Sequence, residues 1–126
     1  MQSPQRPLHF GAELRLRSKL QFDAVYAGGR RLDDRFFALR IKANGLPHAR
    51  VGLAVAVKTA GNAVKRNRLR RLVRESFRLA QHDMPGVDVV VAVKFPAAQA
   101  PVTSLRDSLA TLWKRVASTC ASSSNS

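Results

Sequence analysis

Residues 65–78, KRNRLRRLVRESFR, place seven arginine and lysine side chains in fourteen positions, and Glu75 is the single acid among them. Guanidinium groups suit phosphates and base edges, because their planar N–H donors bind such acceptors in pairs. Solvated helix faces usually mix charges of both signs, as in Glu–Lys pairs one turn apart. A run of nearly one sign therefore predicts contact with nucleic acid.

Side chains that could catalyse a reaction are hard to find in the rest of the chain. His9, His48 and His82 lie in unrelated segments, and Cys120 is the single cysteine. The pair Asp33-Asp34 is explained by turn chemistry as well as by metal binding. The sequence contains neither a glycine-rich phosphate loop nor a nucleophile elbow. We expect no catalytic residue, no metal ligand and no cofactor bound by protein side chains.

The overall charge also indicates a polyanionic partner. The chain has 126 residues, enough for one domain, and 22 Lys and Arg against 8 Asp and Glu give a net charge of +14. No segment approaches the roughly 20 apolar residues of a membrane-spanning helix. The first ten residues lack the apolar stretch of a signal peptide. We therefore expect a cytoplasmic protein that does not contact a membrane.

The basic run must also contribute to a hydrophobic core. Apolar and small residues recur through it at the spacing of a buried helix face, namely Leu69, Leu72, Val73, Ser76, Phe77 and Ala80. Asn67, Arg70, Arg71, Arg74 and Arg78 repeat that spacing on the outer side. The pattern predicts a helix that starts after Gly61-Asn62 and ends near Gln81, with one face in the core and one face on the partner.

The rest of the chain predicts a small fold with both helices and strands. In order, we predict an irregular arm (1–12), a first helix ending at Gly28-Gly29, strands at 36–43, 50–58 and 87–94, a last helix capped by Thr103 or Ser104, and a disordered Ser-rich tail (121–126). No internal repeat is present, so residues 1–120 are predicted to form one domain.

Alternation along the three predicted strands separates two faces of a sheet. One face is bulky and apolar and needs a helical cover: Phe37, Leu39, Ile41, Val51, Leu53, Val55, Val57, Val89, Val91 and Val93. The other face is shallow and basic: Phe36, Ala38, Arg40, Lys42, Gly52, Ala54, Ala56, Lys58, Ala92 and Lys94. The shallow face either forms a groove for an extended anionic ligand or makes room for a closely packed helix.

Two aromatic residues of the first helix bear on the choice between RNA and DNA. Phe22 and Tyr26 lie one turn apart, and unpaired RNA bases are often stacked on such rings. The same pair could instead pack in the core. Helices that bind DNA enter the major groove, commonly as dimers or tandem modules, and charge alone does not exclude that mode.

Several segments together resemble the bacterial ribonuclease P protein subunit. The run KRNRLRRLVRESFR resembles the Arg-Asn-Arg motif helix of that family, and ELRLRSKLQFDAVYAGG is similar to its first helix with the pattern F-x-x-V-[FY]. RVGLAV resembles the glycine-containing strand before the motif, DVVVAVK the last strand, and LATLWKRV the final helix. The arm and the Ser-rich tail fall outside the resemblance.

The resemblance implies a fold and an activity. The fold is an α/β (α+β) sandwich of order αβββαβα, with a small mixed sheet and a left-handed β-α-β crossover through the motif helix. The activity is that of an endonuclease whose RNA subunit, with bound Mg²⁺, removes the 5′ leader from precursor tRNA. The implied partners are ribonuclease P RNA and precursor tRNA, with a protein monomer in a 1:1 ribonucleoprotein and no DNA.

The resemblance also implies two binding surfaces. The motif helix binds the catalytic RNA, through Lys58, Lys65, Arg66, Asn67, Arg68, Arg70, Arg71 and Arg74. A cleft between the first helix and the sheet holds the leader, through Phe22, Tyr26, Phe36, Arg40, Ala54, Ala56 and Lys94. The chain departs from the family pattern at Val57, where a lysine is common, and at Arg40, where some members have an aromatic. At Arg40 we expect charge rather than stacking.

Two other functions remain alternatives. A ribosomal or other structural RNA-binding protein would have no role in cleavage and would not need Phe22 and Tyr26 in a groove. A DNA-binding regulator would bind duplex DNA in preference to structured RNA.

Overall fold

The computed structural model describes residues 15–16, 18–54 and 62–124, and for residues 120–124 it describes the backbone alone. The helices are α1 (Lys19–Gly28), α2 (Ala63–Ala80) and α3 (Val102–Ser124). The strands are β1 (Arg30–Asp33), β2 (Phe37–Ala43), β3 (Arg50–Ala54) and β4 (Val87–Val93). Short 3₁₀ turns follow α2 (Gln81–Asp83) and β4 (Phe95–Gln99). This order confirms the expected αβββαβα arrangement.

The four strands form one mixed sheet in the order β1-β2-β4-β3. β2 pairs antiparallel with both β1 and β4, whereas β3 pairs parallel with β4. Because parallel neighbours need a crossover, the chain leaves the sheet after β3 and returns through α2. The mixed sheet is therefore confirmed, and the left hand of this crossover stays a prediction.

β1 is the strand that the residue pattern did not find. Its four residues, RRLD, are mostly charged and mostly exposed, and β1 lies at the edge of the sheet. Short, charged edge strands avoid pairing with other chains, but they carry little alternation of apolar and polar residues. The pattern alone therefore could not separate β1 from a turn.

The main core lies on the bulky face of the sheet, between the strands and helices α2 and α3. It contains the inward face of α2 (Leu69, Leu72, Val73 and Phe77), the apolar residues of β2 and β4, and Leu105, Leu109, Leu112, Trp113 and Val116 of α3. Trp113 donates its indole N–H to the Ser76 hydroxyl at 2.8 Å, so the buried polar atom is satisfied. The predicted apolar face is confirmed, except for Val55 and Val57, which lie outside the described residues.

Helix α1 covers the opposite face of the sheet. Its start is fixed by a capping box in which the Ser18 hydroxyl accepts from the Gln21 N–H and the Gln21 side chain accepts from the Ser18 N–H. Val25 packs with Leu16 and Val90 in a second, smaller apolar cluster. The helix ends at Gly28, as the Gly28-Gly29 pair predicts.

Besides the end of β4, which is Val93 rather than Lys94, three predicted boundaries are wrong. β2 begins at Phe37 rather than Phe36, because the Asp34 carboxylate accepts the backbone N–H groups of Phe36 and Phe37 at 2.9 and 3.0 Å and forms a turn there. Neither Thr103 nor Ser104 caps α3, which begins at Val102. The Pro101 carbonyl already accepts from the Leu105 N–H at 3.2 Å.

The third boundary is the end of the last helix. α3 continues to Ser124, so residues 121–124 are helical and not part of a disordered tail. A helix that has already nucleated adds further residues at little cost, even where serine is frequent. The arm at 1–12 lies outside the described residues.

Neither a membrane span nor a metal cluster is found in the part of the chain that the structure describes. Across the described ranges, no helix combines the length and the apolar character needed to cross a bilayer. The same ranges contain no group of three or more His, Cys, Asp or Glu side chains that could hold a metal ion.

Candidate nucleic-acid interface

Helix α2 presents most of its cations to solvent. Asn62 caps it, and its side-chain oxygen accepts from the Lys65 N–H at 2.9 Å. Burial of the apolar face turns the remaining motif residues outward: Lys65, Asn67, Arg68, Arg71 and Arg74 are exposed, and Arg66 and Arg70 are half-buried. The structure therefore brings together, on one helix, seven of the eight residues that the resemblance assigns to RNA binding. The eighth, Lys58, lies outside the described residues.

The single acid of the motif run is already paired. Both Glu75 carboxylate oxygens accept from the Arg78 guanidinium. The hydrogen bond and charge of Arg78 lower the pKa of Glu75, so it stays ionised at neutral pH. Since this pair lies near the end of α2, the first part of the helix keeps a uniformly positive outer surface.

A cavity of about 280 Å³ lies where α2 approaches β3 and the residues before α1. Arg15, Arg70 and Arg74 line it together with Phe22 and Gly52. Burial, followed by the nearby charges of Arg15 and Arg70, lowers the pKa of Arg74 below its ordinary value. The sequence pattern did not select Arg15, because only the fold brings it beside α2.

Phe22 belongs both to the small apolar cluster and to the surface of this cavity. Its ring lies so close to Gly52 that a Cβ added there would be 2.5 Å from the Phe22 Cζ. Phe22 is half-buried and packs against the cluster of Leu16, Val25 and Val90. At Gly52, therefore, the small residue makes room for a closely packed helix, as one of the two interpretations proposed.

Beside α1, the next row of the shallow sheet face consists of small residues. The strand register aligns Ala38, Ala92 and Ala54 in one row across β2, β4 and β3. Ala38 and Ala92 are half-buried and Ala54 is exposed. This alanine floor, with Phe22 and Tyr26 of α1 beside it, forms a shallow groove. Ala38 and Ala92 were on the predicted face but not among the predicted site residues.

Charged residues lie at the β1 and β2 end of the groove. Lys94 Nζ is 2.6 Å from both the Asp33 carboxylate and the Asp34 carbonyl, and Arg31 lies 3.6 Å from the same carboxylate. Lys94, and more weakly Arg31, lower the pKa of Asp33. The charge of Lys94 is thus partly neutralised. Arg40 instead lies with its guanidinium carbon 6.0 Å from the centre of the Tyr26 ring.

Not every predicted groove residue lies at the groove. Phe36 precedes β2, so strand alternation does not apply to it, and its ring packs against the main core cluster on the other face. Its placement on the shallow face is therefore wrong. Ala56 lies outside the described residues. The structure does bring Phe22, Tyr26, Arg40, Ala54 and Lys94 to the α1 side of the sheet or its end.

Comparison with known proteins identifies the family. The sequence model of the Ribonuclease P family matches residues 10–117. The chain belongs to the ribonuclease P protein family. It is similar to the ribonuclease P protein component of Escherichia coli (strain K12 / DH10B), with 41% identity over 108 residues, 86% of this chain and 91% of that protein.

Two solved structures of ribonuclease P proteins share the fold. The protein from Thermotoga maritima has a TM-score of 0.74 and 32% identity, over 81% of this chain and 96% of that one. The protein from Staphylococcus aureus has a TM-score of 0.75 and 27% identity, over 85% and 94%. The resemblance seen in the motif helix thus extends to nearly the whole domain, and these matches give no support to a ribosomal role.

Proposed function

We propose that this chain, as the protein subunit of ribonuclease P, binds the catalytic RNA and the 5′ leader of precursor tRNA at the same time. One observation carries the proposal beyond family membership. The cationic face of α2 and the alanine floor lie on different sides of the sheet, because α2 packs on the bulky face and α1 on the shallow one. Two RNA segments can therefore bind on different sides of the sheet, and the two sides meet at the cavity that Arg70 and Arg74 share with Phe22.

Each surface suits a different form of RNA. The exposed arginines of α2 suit the phosphates of a folded RNA, because proteins bind folded RNA mainly through its shape and its backbone. The groove offers aromatic rings and a smooth floor, which suit an extended strand with splayed bases. The leader is such a strand, and the folded RNA subunit presents a dense phosphate surface.

We further propose that cleavage chemistry belongs to the RNA subunit. Mg²⁺ bound by that RNA would supply the reactive centre, and the protein would position the leader and neutralise phosphates. The active particle would contain one protein monomer and one RNA in the cytoplasm. A protein with net charge +14 replaces part of the counterions that folded RNA needs, so it should lower the Mg²⁺ requirement.

Reconstitution with a bacterial ribonuclease P RNA tests this proposal. Precursor tRNA cleavage is measured across a Mg²⁺ titration with and without the protein. The protein should shift the titration to lower Mg²⁺ and should cleave nothing by itself after nuclease removal of contaminating RNA. Cleavage by protein alone, or an unchanged Mg²⁺ requirement, would contradict the proposal.

A further inference from the structure

The groove has a polar end that differs from its aromatic end. α1 crosses the sheet so that Phe22 stands over Gly52 of β3 and Tyr26, one turn later, faces Arg40 of β2. Gly52 and Arg40 both align with Val90 of β4, so they lie in one row across the sheet. The next row is the alanine floor. A strand that follows this floor therefore passes Phe22 first and reaches Arg40 at the β2 end.

Arg40 is oriented by an aromatic ring rather than by a carboxylate. Its guanidinium carbon lies 6.0 Å from the Tyr26 ring centre, a distance at which the ring attracts a cation. Within the described residues no acidic side chain pairs with Arg40, although Asp33 binds both Arg31 and Lys94 nearby. The N–H donors of Arg40 remain available to a ligand at the groove.

The Arg40 guanidinium therefore covers one face of the Tyr26 ring. Because the guanidinium covers one face, a base cannot stack on that face of the ring without displacing Arg40. A base at this end of the groove is therefore recognised by the Arg40 guanidinium, which has five N–H donors and no acceptor. A base that binds it well must present two acceptors side by side.

Among the four RNA bases, guanine and cytosine meet that requirement when they are unpaired, because both the Watson–Crick and the Hoogsteen edges are then exposed. Guanine O6 and N7 are adjacent acceptors that receive a bidentate arginine, and cytosine offers O2 and N3 side by side. Adenine places its N6 donor beside both N7 and N1, and uracil has its N3 donor between O4 and O2. Arg31 lies directly opposite Arg40 in the strand register and supplies a second cation for the adjoining phosphate.

We infer that Arg40, held against Tyr26, selects a guanine or a cytosine over adenine and uracil in the RNA strand that lies along the alanine floor. The inference rests on the proposed function and adds a base preference to it. Arginine and lysine differ here, because lysine keeps the charge but has no planar fork. A substitution of Arg40 can therefore separate base selection from phosphate attraction.

The test uses the reconstituted holoenzyme and precursor tRNAs whose leaders are randomised. Competitive cleavage is followed by sequencing of the substrates that react first. We expect guanine or cytosine to be favoured over adenine and uracil at one leader position by about 5-fold or more in relative kcat/KM, the lower end of bidentate discrimination, because Arg40 is partly exposed. Arg40→Lys should remove this preference, because lysine keeps the charge but lacks the planar fork.

Two further variants and one modified substrate sharpen the result. Arg30→Lys is the matched control, because Arg30 is an exposed β1 arginine opposite Ile41 and leaves the strand on the other face. Tyr26→Phe keeps the ring and should keep the preference, whereas Tyr26→Leu should weaken it. If guanine is the favoured base, replacing it by 7-deazaguanine removes the N7 acceptor and should slow the wild-type reaction but not the Arg40→Lys reaction.

The outcomes distinguish this inference from the function on which it rests. If the protein fails to stimulate cleavage of any leader, the proposed function itself is overturned. If it stimulates cleavage without favouring guanine or cytosine, or if Arg40→Lys retains the preference, the inference alone is overturned. A uniform loss on all leaders in Arg40→Ala, with no base effect, would make Arg40 a phosphate contact and would likewise overturn it.

Discussion

Phe22 packs in the fold and, in the function that we propose, also binds the leader. Its ring fills the space left by Gly52 and also lines the cavity that contains Arg15, Arg70 and Arg74. A stacked base contributes about 1–3 kcal/mol by alanine substitution, so Phe22→Ala should weaken precursor tRNA binding by about 5- to 150-fold. Mature tRNA lacks the leader, and its affinity should hardly change. Affinities of both RNAs for the reconstituted holoenzyme measure the difference.

A second Phe22 variant separates lost stability from lost stacking. Phe22→Leu retains most of the apolar volume but removes the aromatic face, so it should keep the melting temperature closer to wild type and still lose leader affinity. Equal losses for precursor and mature tRNA would show that Phe22 acts through the core alone.

Asp33 is an acid at the edge of an anion-binding groove. Its carboxylate holds Lys94 at 2.6 Å and so reduces the positive charge offered to the leader. Asp33→Asn should release that charge and raise precursor tRNA affinity by about 2- to 5-fold at low salt, with a steeper salt dependence. A fall in affinity would mean that Asp33 is needed to position Lys94. Ser108→Ala is a suitable control, because Ser108 donates to the adjacent Asp34 instead.

The same ion pair gives a pH dependence of stability. Lys94 lowers the pKa of Asp33 in the folded protein, so the pair stabilises the fold above the ordinary carboxyl pKa and loses this effect as pH falls through the lowered pKa. The melting temperature of wild type should therefore exceed that of Asp33→Asn at neutral pH. The difference should vanish in acid, and a difference that grows in acid would contradict the assignment.

At the scale of the element, the outer face of α2 should carry binding but little stability. Arg68 and Arg71 are exposed and take no part in the core. Each alanine variant should weaken binding of the catalytic RNA. If one phosphate contact is lost, the slope of log K against log salt concentration should become shallower by roughly one unit. Circular dichroism should stay unchanged. Lys114→Ala, an exposed cation on α3, is the matched control, and an unchanged slope in both arginine variants would place the RNA surface elsewhere.

The elements also show what the sequence could and could not predict. α2 was predictable because its apolar spacing, its Asn62 cap and its cations all indicate the same helix. Phe36 was misplaced because the turn formed by Asp34 keeps it out of the strand, so alternation does not apply to it. Arg15 was missed because its position beside Arg74 depends on contacts between distant segments. The family resemblance implied a β-α-β crossover through the motif helix, but the pairing of β3 with β4 was not predicted, since alternation indicates faces and not neighbours.

For the whole molecule, the net charge of +14 that we propose attracts RNA also destabilises the folded chain. Like charges destabilise a compact state through self-repulsion, and α2 gathers seven cations with one acid between Lys65 and Arg78. The helix forms despite this like charge, because the opposite, apolar side of α2 packs into the main core. We expect RNA binding to remove this repulsion, which would couple folding to binding and leave the free protein only marginally stable.

Trp113 offers a direct measure of this coupling, because it is the single tryptophan, is 3% exposed and reports melting of the main core. The catalytic RNA at about one hundred times its Kd should add about 2.7 kcal/mol, which raises the Tm of a chain this size by about 10 °C. The shift should largely disappear in about 1 M salt, where charges are screened within roughly 3 Å. Added salt without RNA should itself raise the Tm, because it screens the same repulsion. A Tm of the free protein that added salt leaves unchanged would mean that the cations of α2 impose little cost on the fold.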